Sequence, residues 1–162
     1  MFGTNSYRLP TEAQWEYAAR GGGPASTVGA FMYQYAGSNT HGNVAWSRSN
    51  SNSTTHTVGT KLQNTAGLYD MSGNVSEFCW DYSDGPPYPS PAGGGHGFIT
   101  NPHGTTPILE SDNNRIIRGG HWDSEAYYSG SEVVELFTTY RGGSSPPTQR
   151  SEFCGFRVVC WD

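Results

Sequence analysis

The chain has 162 residues, enough for one domain with a real core, and a formal net charge of −5. That acidic balance, with no basic face in the sequence, excludes nucleic acid as a partner. With 22 glycines, 10 prolines, 14% aromatic and only 14% charged residues, the composition excludes charge-rich disorder. It points to short elements, long ordered loops and burial carried by aromatic rings.

The first predicted element is a helix over residues 11–20. Thr11-Glu12-Ala13-Gln14 has the form of a capping box, with a hydroxyl at the N-cap and a Gln three residues later. Glu12 sits where the helix dipole favours an acid, and Gly21 offers a left-handed stop. Trp15, Ala18 and Ala19 line one face, and Trp15 and Tyr17 are expected to supply buried surface. Residues 21–66 show little periodicity and read as ordered loop, with 47–57 polar enough to be mobile. Residues 83–107, rich in Pro and Gly, exclude helix and central strand and read as a surface excursion. Ile116-Ile117-Arg118-Gly119-Gly120 reads as a strand with a glycine stop. Phe156 to Trp161 reads as the clearest strand. Residues 132–137 fit helix or strand, and periodicity does not decide between them.

Asp70 and Glu77 are hard carboxylates seven residues apart, and Gly73 between them permits a turn that exposes carbonyls. Asp70, Gly73, Val75 and Glu77 therefore form a candidate structural calcium site of mixed carboxylate and carbonyl oxygens. The alternative is that both carboxylates pair with backbone amides or an arginine. The five histidines are scattered, with no zinc-ligand spacing. Three cysteines, Cys79, Cys154 and Cys160, do not make a disulfide framework. They are expected as buried free thiols, or as one bridge with one thiol left over. No run of about 18 apolar residues occurs, so no direct membrane span is expected.

Four motifs, taken in order, carry a resemblance. They are Tyr7-Arg8-Leu9-Pro10-Thr11-Glu12-Ala13-Gln14-Trp15-Glu16-Tyr17-Ala18-Ala19-Arg20-Gly21-Gly22, Gly67-Leu68-Tyr69-Asp70-Met71-Ser72-Gly73-Asn74-Val75-Ser76-Glu77-Phe78, Arg118-Gly119-Gly120-His121-Trp122-Asp123-Ser124 and Gly155-Phe156-Arg157-Val158-Val159. This set resembles the formylglycine-generating-enzyme (sulfatase-modifying factor) family, a branch of the C-type-lectin fold. The resemblance implies an α+β, C-type-lectin-like fold with little regular secondary structure, as a single domain over 1–162 that forms the C-terminal portion of a longer chain. It also implies a structural calcium at the positions of Asp70, Gly73, Val75 and Glu77. A second calcium position of the family, near Asn43 and Val44, lacks its carboxylate here, because residues 50–52 carry only amides and Ser51.

The family's enzymes carry copper-binding cysteines four and nine residues after the second glycine of the Gly-Gly pair, and this chain has Ser124 and Ser129 there. A hydroxyl is neither a soft ligand nor a strong nucleophile near neutral pH, so no copper and no family catalysis are expected. A Ser-His pair between His121 and Ser124 is the remaining catalytic arrangement.

Asparagine occurs ten times before Arg115 and not once after it. The segment from His121 to Phe153 is instead rich in Tyr, Ser, Gly, Thr, Glu and Phe, the mixture that adaptable combining surfaces use. Randomising adenines in Asn codons yields Tyr, Ser, Asp, His, Phe and Gly. The chain thus resembles the variable proteins of diversity-generating retroelements, with residues 118–157 as the candidate variable region. That resemblance implies a non-catalytic protein on a bacterial cell surface or outside the cell, lipid-anchored through a further segment, that binds an unknown protein or glycan ligand. The expected ligand-binding residues are Trp122, Asp123, Ser124, Glu125, Tyr127, Tyr128, Ser144, Ser145, Ser151, Glu152 and Phe153. Arg118, Arg141 and Arg157 are expected to be scaffold, paired with buried carboxylates or carbonyls. Fixed-specificity lectin-like binding is the alternative, although the sugar-binding triplets Glu-Pro-Asn and Gln-Pro-Asp are absent from the sequence.

Overall fold

The computed structural model describes residues 6–23, 33–83, 114–126 and 132–161. Most of the Pro/Gly-rich tract, and Tyr127, Tyr128 and Ser129, lie outside the described residues. The elements in chain order are β1 (Ser6–Arg8), α1 (Glu12–Ala19), α2 (His41–Val44), β2 (Ser76–Tyr82), β3 (Arg115–Arg118), a 3-10 turn (Val134–Leu136), β4 (Gly143–Ser145), β5 (Cys154–Gly155) and β6 (Val159–Trp161). The architecture is α+β. β1 pairs with β6 antiparallel, Tyr7 opposite Cys160. A four-stranded mixed sheet runs β4-β3-β2-β5. Its β2–β3 and β3–β4 pairs are antiparallel and its β2–β5 pair is parallel.

Helix α1 begins as its sequence dictates. The Gln14 amide donates to Thr11 Oγ1 at 3.2 Å and the Thr11 amide donates to Gln14 Oε1 at 3.0 Å. Gly21 and Gly22 end it at φ 102° and 65°, conformations that cost glycine least. Trp15 and Ala19 are buried, but Tyr17 is 52% exposed, contrary to expectation. It lies off the Trp15–Ala19 stripe, and its hydroxyl donates to Gly22 O.

Strand β2 escapes the sequence reading because its polarity is inverted. Glu77, Cys79 and Asp81 are buried, whereas Trp80 on the opposite face is exposed. The buried polar face is the one that docks α1. The Glu12 amide at the helix start donates to Asp81 Oδ2 at 2.7 Å, and Trp15 Nε1 donates to Glu77 Oε2 at 2.7 Å.

Arg118 at the end of β3 completes the junction. Its Nη1 donates to Tyr140 O at 2.8 Å and to Glu12 Oε1 at 3.3 Å, and its Nη2 donates to Glu16 Oε2 at 2.7 Å and to Thr138 O at 2.8 Å. Arg141 Nε reaches both Glu12 oxygens at 2.9 Å. Arg157 donates to Glu77 through Nε at 2.5 Å and Nη2 at 2.6 Å. All three arginines therefore serve the scaffold, as expected.

Two apolar clusters flank this network. Trp15, Ala19, Met71, Cys79 and Ile116 belong to one. Tyr35, Val44, Ala45, Val133 and Leu136 belong to the other. Ser72 joins them, accepting from the Ala36 amide at 3.1 Å and donating to Leu136 O at 2.8 Å.

Three further expectations are corrected. The tract from Phe156 to Trp161 is strand only from Val159, and Phe156 is 72% exposed. Arg157 is drawn inward to Glu77, which turns its neighbours outward and breaks the run. Residues 47–57 form closed turns: Ser47 and Ser51 are buried, and the Ser51 amide donates to Ser47 O at 2.8 Å. Of the three free cysteines only Cys79 is buried, and Cys160 is exposed.

Replacing Arg118 with Met takes one of two arginines from buried Glu12 and leaves the Thr138 and Tyr140 carbonyls without their donor. Chemical denaturation is expected to show a loss of about 3–5 kcal/mol, against about 1 kcal/mol for Thr11→Ala at the helix cap.

Candidate functional site

The turn from Asp70 to Asn74 is the hub on which the candidate site hangs. Asp70, Gly73 and Asn74 take positive φ values of 54°, 77° and 65°. Gly73 is dictated by contact as well, because a Cβ there would lie 2.3 Å from Trp46 O. The Asn74 amide donates to Trp46 O at 2.9 Å, the Trp122 amide to Asn74 O at 2.9 Å, and the Gly73 amide to Gly119 O at 2.8 Å. The Asn74 side chain pairs with the backbone of His56 through both of its polar atoms. One turn thus fixes the 46–56 loop and the Gly119–Trp122 segment to the same frame.

The candidate metal residues carry the amide and arginine partners of the alternative reading. Glu77 is occupied by Trp15 and Arg157, the arginine alternative. Asp70 Oδ2 accepts from the Gly59 amide at 2.8 Å. Asp70 Oδ1, however, is buried and has no hydrogen-bond partner. Asp70, Val75 and Glu77 line one cavity of about 430 Å³, beside Leu68, Tyr69 and Phe156. A buried carboxylate oxygen without a partner is compatible with a hard cation, while both Glu77 oxygens already accept from Trp15 or Arg157.

The expected ligand-binding residues separate into three groups. Trp122 and Phe153 join the two ends of the segment. Their rings lie 5.1 Å apart, with the His121 ring 4.6 Å from Phe153. Trp122 is largely buried, and its Nε1 donates to Glu152 O at 3.3 Å. Ser151 Oγ accepts from the Phe153 amide, and Glu152 is exposed beside it. In the second group, Asp123 and Glu125 flank Arg48. The guanidinium grips Asp123 through two 2.9 Å bonds and also bonds Glu125. The fork holds the Asp123 carboxyl below its ordinary pKa. Ser144 and Ser145 form the third group, on edge strand β4 opposite Ile116 and Arg115. Ser144 is exposed and Ser145 is buried.

Ser124 departs from expectation as a surface position. It is 1% exposed, and its Oγ accepts from the His121 main-chain amide at 3.0 Å. It closes a turn, and the imidazole faces elsewhere: His121 Nδ1 accepts from the Asp123 amide at 3.2 Å.

Sequence reasoning missed Arg48 and His41. Neither belongs to a motif, and Arg48 meets Asp123 only through the fold. Together with Ser49, they form one wall of a cavity of about 390 Å³ whose other wall is Ser124, Ala126 and Val133. The cavity is mostly apolar in lining, with charge at its rim, the form that small-ligand and side-chain pockets take. Burial lowers the pKa of His41, helped by the Lys61 charge. Burial also lowers that of His121, against Glu135 and Asp123.

Comparison with known proteins follows from this geometry. The model of the sulfatase-modifying factor enzyme 1-like domain matches residues 2–161. Variable protein 1 of Treponema denticola superposes with a TM-score of 0.68 at 34% identity, covering 96% of this chain and 48% of that one. The formylglycine-generating enzyme of Streptomyces coelicolor is 30% identical across 94% of this chain and 46% of its own length. The chaperone protein LppX of Paenibacillus barcinonensis is 38% identical over 54% of this chain and 35% of its own. The chain thus spans about half or less of the length of these relatives.

Both depressed histidines favour the neutral ring in the folded state. Their contribution is therefore fully present above the unfolded pKa of about 6.5 and is lost as pH falls through the lower folded value. Urea unfolding at stepped pH is expected to show stability falling as pH drops below about 6.5, and His121→Gln should flatten that fall.

Proposed function

The chain belongs to the sulfatase-modifying factor enzyme 1-like domain family, and from that premise we propose that it is a non-catalytic ligand-binding protein. Its 118–157 segment is diversified by a retroelement to present a variable surface on a fixed scaffold. One observation carries the reading. The 390 Å³ cavity lies between fixed residues His41, Arg48 and Ser49 and segment residues Ser124, Ala126 and Val133. Variation at Ala126 on its segment wall and at Asp123 and Glu125 on the rim would re-shape the pocket without touching the buried carboxylates that hold the fold. The loss of asparagine beyond Arg115 supports the same reading. So does the likeness to a treponemal variable protein.

The ligand is a protein or glycan group that enters this cavity and meets the charged rim. The family's oxidation chemistry is disfavoured because serines stand at both cysteine positions. No helix among the described residues is long and apolar enough to cross a membrane. Surface display, through a lipid anchor on a further segment, is part of the same proposal.

Calcium has a structural role in this proposal. Asp70 Oδ1, Glu77 and the carbonyls of Gly73 and Val75 would hold it, and the ion would supply the partner that Asp70 Oδ1 lacks. A site filled at about 100 times its dissociation constant adds about 2.7 kcal/mol. Adding calcium to chelator-treated protein is therefore expected to raise Tm, and Asp70→Ala should abolish the rise. An unchanged Tm in excess calcium contradicts the site.

Sequencing the gene across sibling isolates tests the main reading. Substitutions confined to adenine-bearing codons in the segment encoding residues 115–162 are expected. A uniform low rate in both halves would leave a fixed-specificity lectin-like binder.

A further inference from the structure

The outward face of β2 carries a row of aromatic rings that neither the core nor the Arg48 pocket uses. Glu77, Cys79 and Asp81 point inward, so alternation turns Phe78, Trp80 and Tyr82 to the other face. There Phe78 and Tyr82 are half-buried and Trp80 is 43% exposed. Leu9, Phe78, Trp80, Arg115, Pro147 and Phe156 wall a cavity of about 290 Å³ on this face. It shares no residue with the Arg48 pocket, and Leu9, Phe78, Trp80 and Arg115 lie outside the 118–157 segment.

Arg115 is the charged group of this wall, and its charge is unmatched. Arg20, Arg48, Arg118, Arg141 and Arg157 each meet a carboxylate. Arg115 meets none among the described residues. It donates through Nη1 to Trp80 O and through Nη2 to the Tyr82 hydroxyl at 3.0 Å. Its guanidinium carbon lies 3.8 Å from the Tyr82 ring centre and 5.1 Å from the Trp80 ring centre. These contacts hold the guanidinium against two rings. Its Nε–H and the remaining hydrogens of Nη1 and Nη2 bond no described residue. Buried unpartnered nitrogens occur at Arg20 and Arg118 and not at Arg115, so these donors are open to solvent and to a ligand.

This wall discriminates between ligand classes. A cation is repelled by Arg115 and finds no carboxylate in the lining. A purely apolar body would strip water from an unpaired guanidinium, which costs free energy. A bare inorganic anion would meet the guanidinium and leave the aromatic walls wet. An apolar body bearing one carboxylate meets both needs. Its body covers the rings, and its carboxylate replaces water with charge-assisted hydrogen bonds, which are stronger than neutral ones. The volume falls near the lower end of small-ligand pockets, about 300 Å³, and so suits a free small molecule.

We propose that this groove binds a small free carboxylate with an aryl or alkyl body. The carboxylate oxygens accept from Arg115, and the body lies against Trp80, Phe78 and Phe156. The inference goes beyond the diversified-pocket reading, since its charged group and most of its wall belong to the fixed scaffold.

The probe is 3-phenylpropionate, titrated into the intact chain labelled with ¹⁵N. It is expected to shift the Trp80 indole N–H and Arg115 Nε–H resonances, with a Kd on the order of a millimolar. The amide 3-phenylpropionamide keeps the body and removes the charge, and it should bind about tenfold more weakly. In Arg115→Gln the acid and the amide should bind alike. Phe156→Ala, at an exposed ring, should weaken both to the same extent without changing Tm. Should Arg115→Gln fail to fold, the acid-to-amide ratio on the parent chain decides the matter. Ala126→Trp, which fills the Arg48 pocket, should leave the response intact, so this proposal and the diversified-pocket reading can fail separately. Unmoved resonances would overturn the proposal. So would equal binding of acid and amide, which would make the groove an apolar surface without carboxylate recognition. Equal binding of acetate would reduce it to an anion site and overturn it too. A peptide ending in Phe that bound more than about tenfold tighter than 3-phenylpropionate would place the source in a protein chain, against the proposal.

Discussion

The fold depends on two buried carboxylates that must each be met from several directions at once. Glu12 stands at the start of α1 with Arg118 and Arg141 on its oxygens, and its own amide is held by Asp81. Glu77 on β2 receives Trp15 from the same helix and Arg157 from the chain end. Desolvation outweighs both guanidinium groups at Glu12 and holds its carboxyl above the ordinary pKa. Such a network fixes geometry more than it adds stability, because ionising a buried acid recovers little of what its burial costs. What it fixes is the position of one short helix against one strand, and nearly everything else is loop.

That constraint explains how a chain with so little regular structure can carry a site. The Asp70–Asn74 turn leads directly into β2, and Gly119–Gly120 leads directly out of β3. Both are therefore placed by the carboxylate network before any loop is considered. The loops that form the cavities hang from the Asp70–Asn74 turn by hydrogen bonds, Trp46, Gly119 and Trp122 through its main chain and His56 through the Asn74 side chain. Side chains pointing away from this frame, Asp123, Glu125, Ser144 and Glu152 among them, bear little on it.

The local signals in the sequence were readable where one residue type answers one physical need. The capping box of α1, the glycine stops after α1 and β3, and the three scaffold arginines belong to that class. β2 was not readable, because the alternation rule places aromatic residues inward. Here the inward face carries Glu77, Cys79 and Asp81 to meet α1, a pairing that no local pattern announces. The Phe156–Trp161 run misleads for a related reason: its β propensity is overridden by the pull of Glu77 on Arg157. At the site, Asp123 and Glu125 were visible as segment residues. Their partner Arg48 was not, since 75 positions separate Arg48 from Asp123. Ser124 looked like a surface residue by position and is a turn residue by hydrogen bonding. The family motifs carried the overall architecture, and the placement of individual side chains needed the fold.

The most direct test of the account is the thermal stability of a library randomised together at Asp123, Glu125, Ser144 and Glu152, with the rest of the chain unchanged. If the buried carboxylate network and the Asp70–Asn74 turn hold the fold, most members should unfold cooperatively near the parental Tm. If most members instead lost cooperative unfolding, these side chains would be part of what holds the fold, and the division between fixed scaffold and variable surface would be wrong.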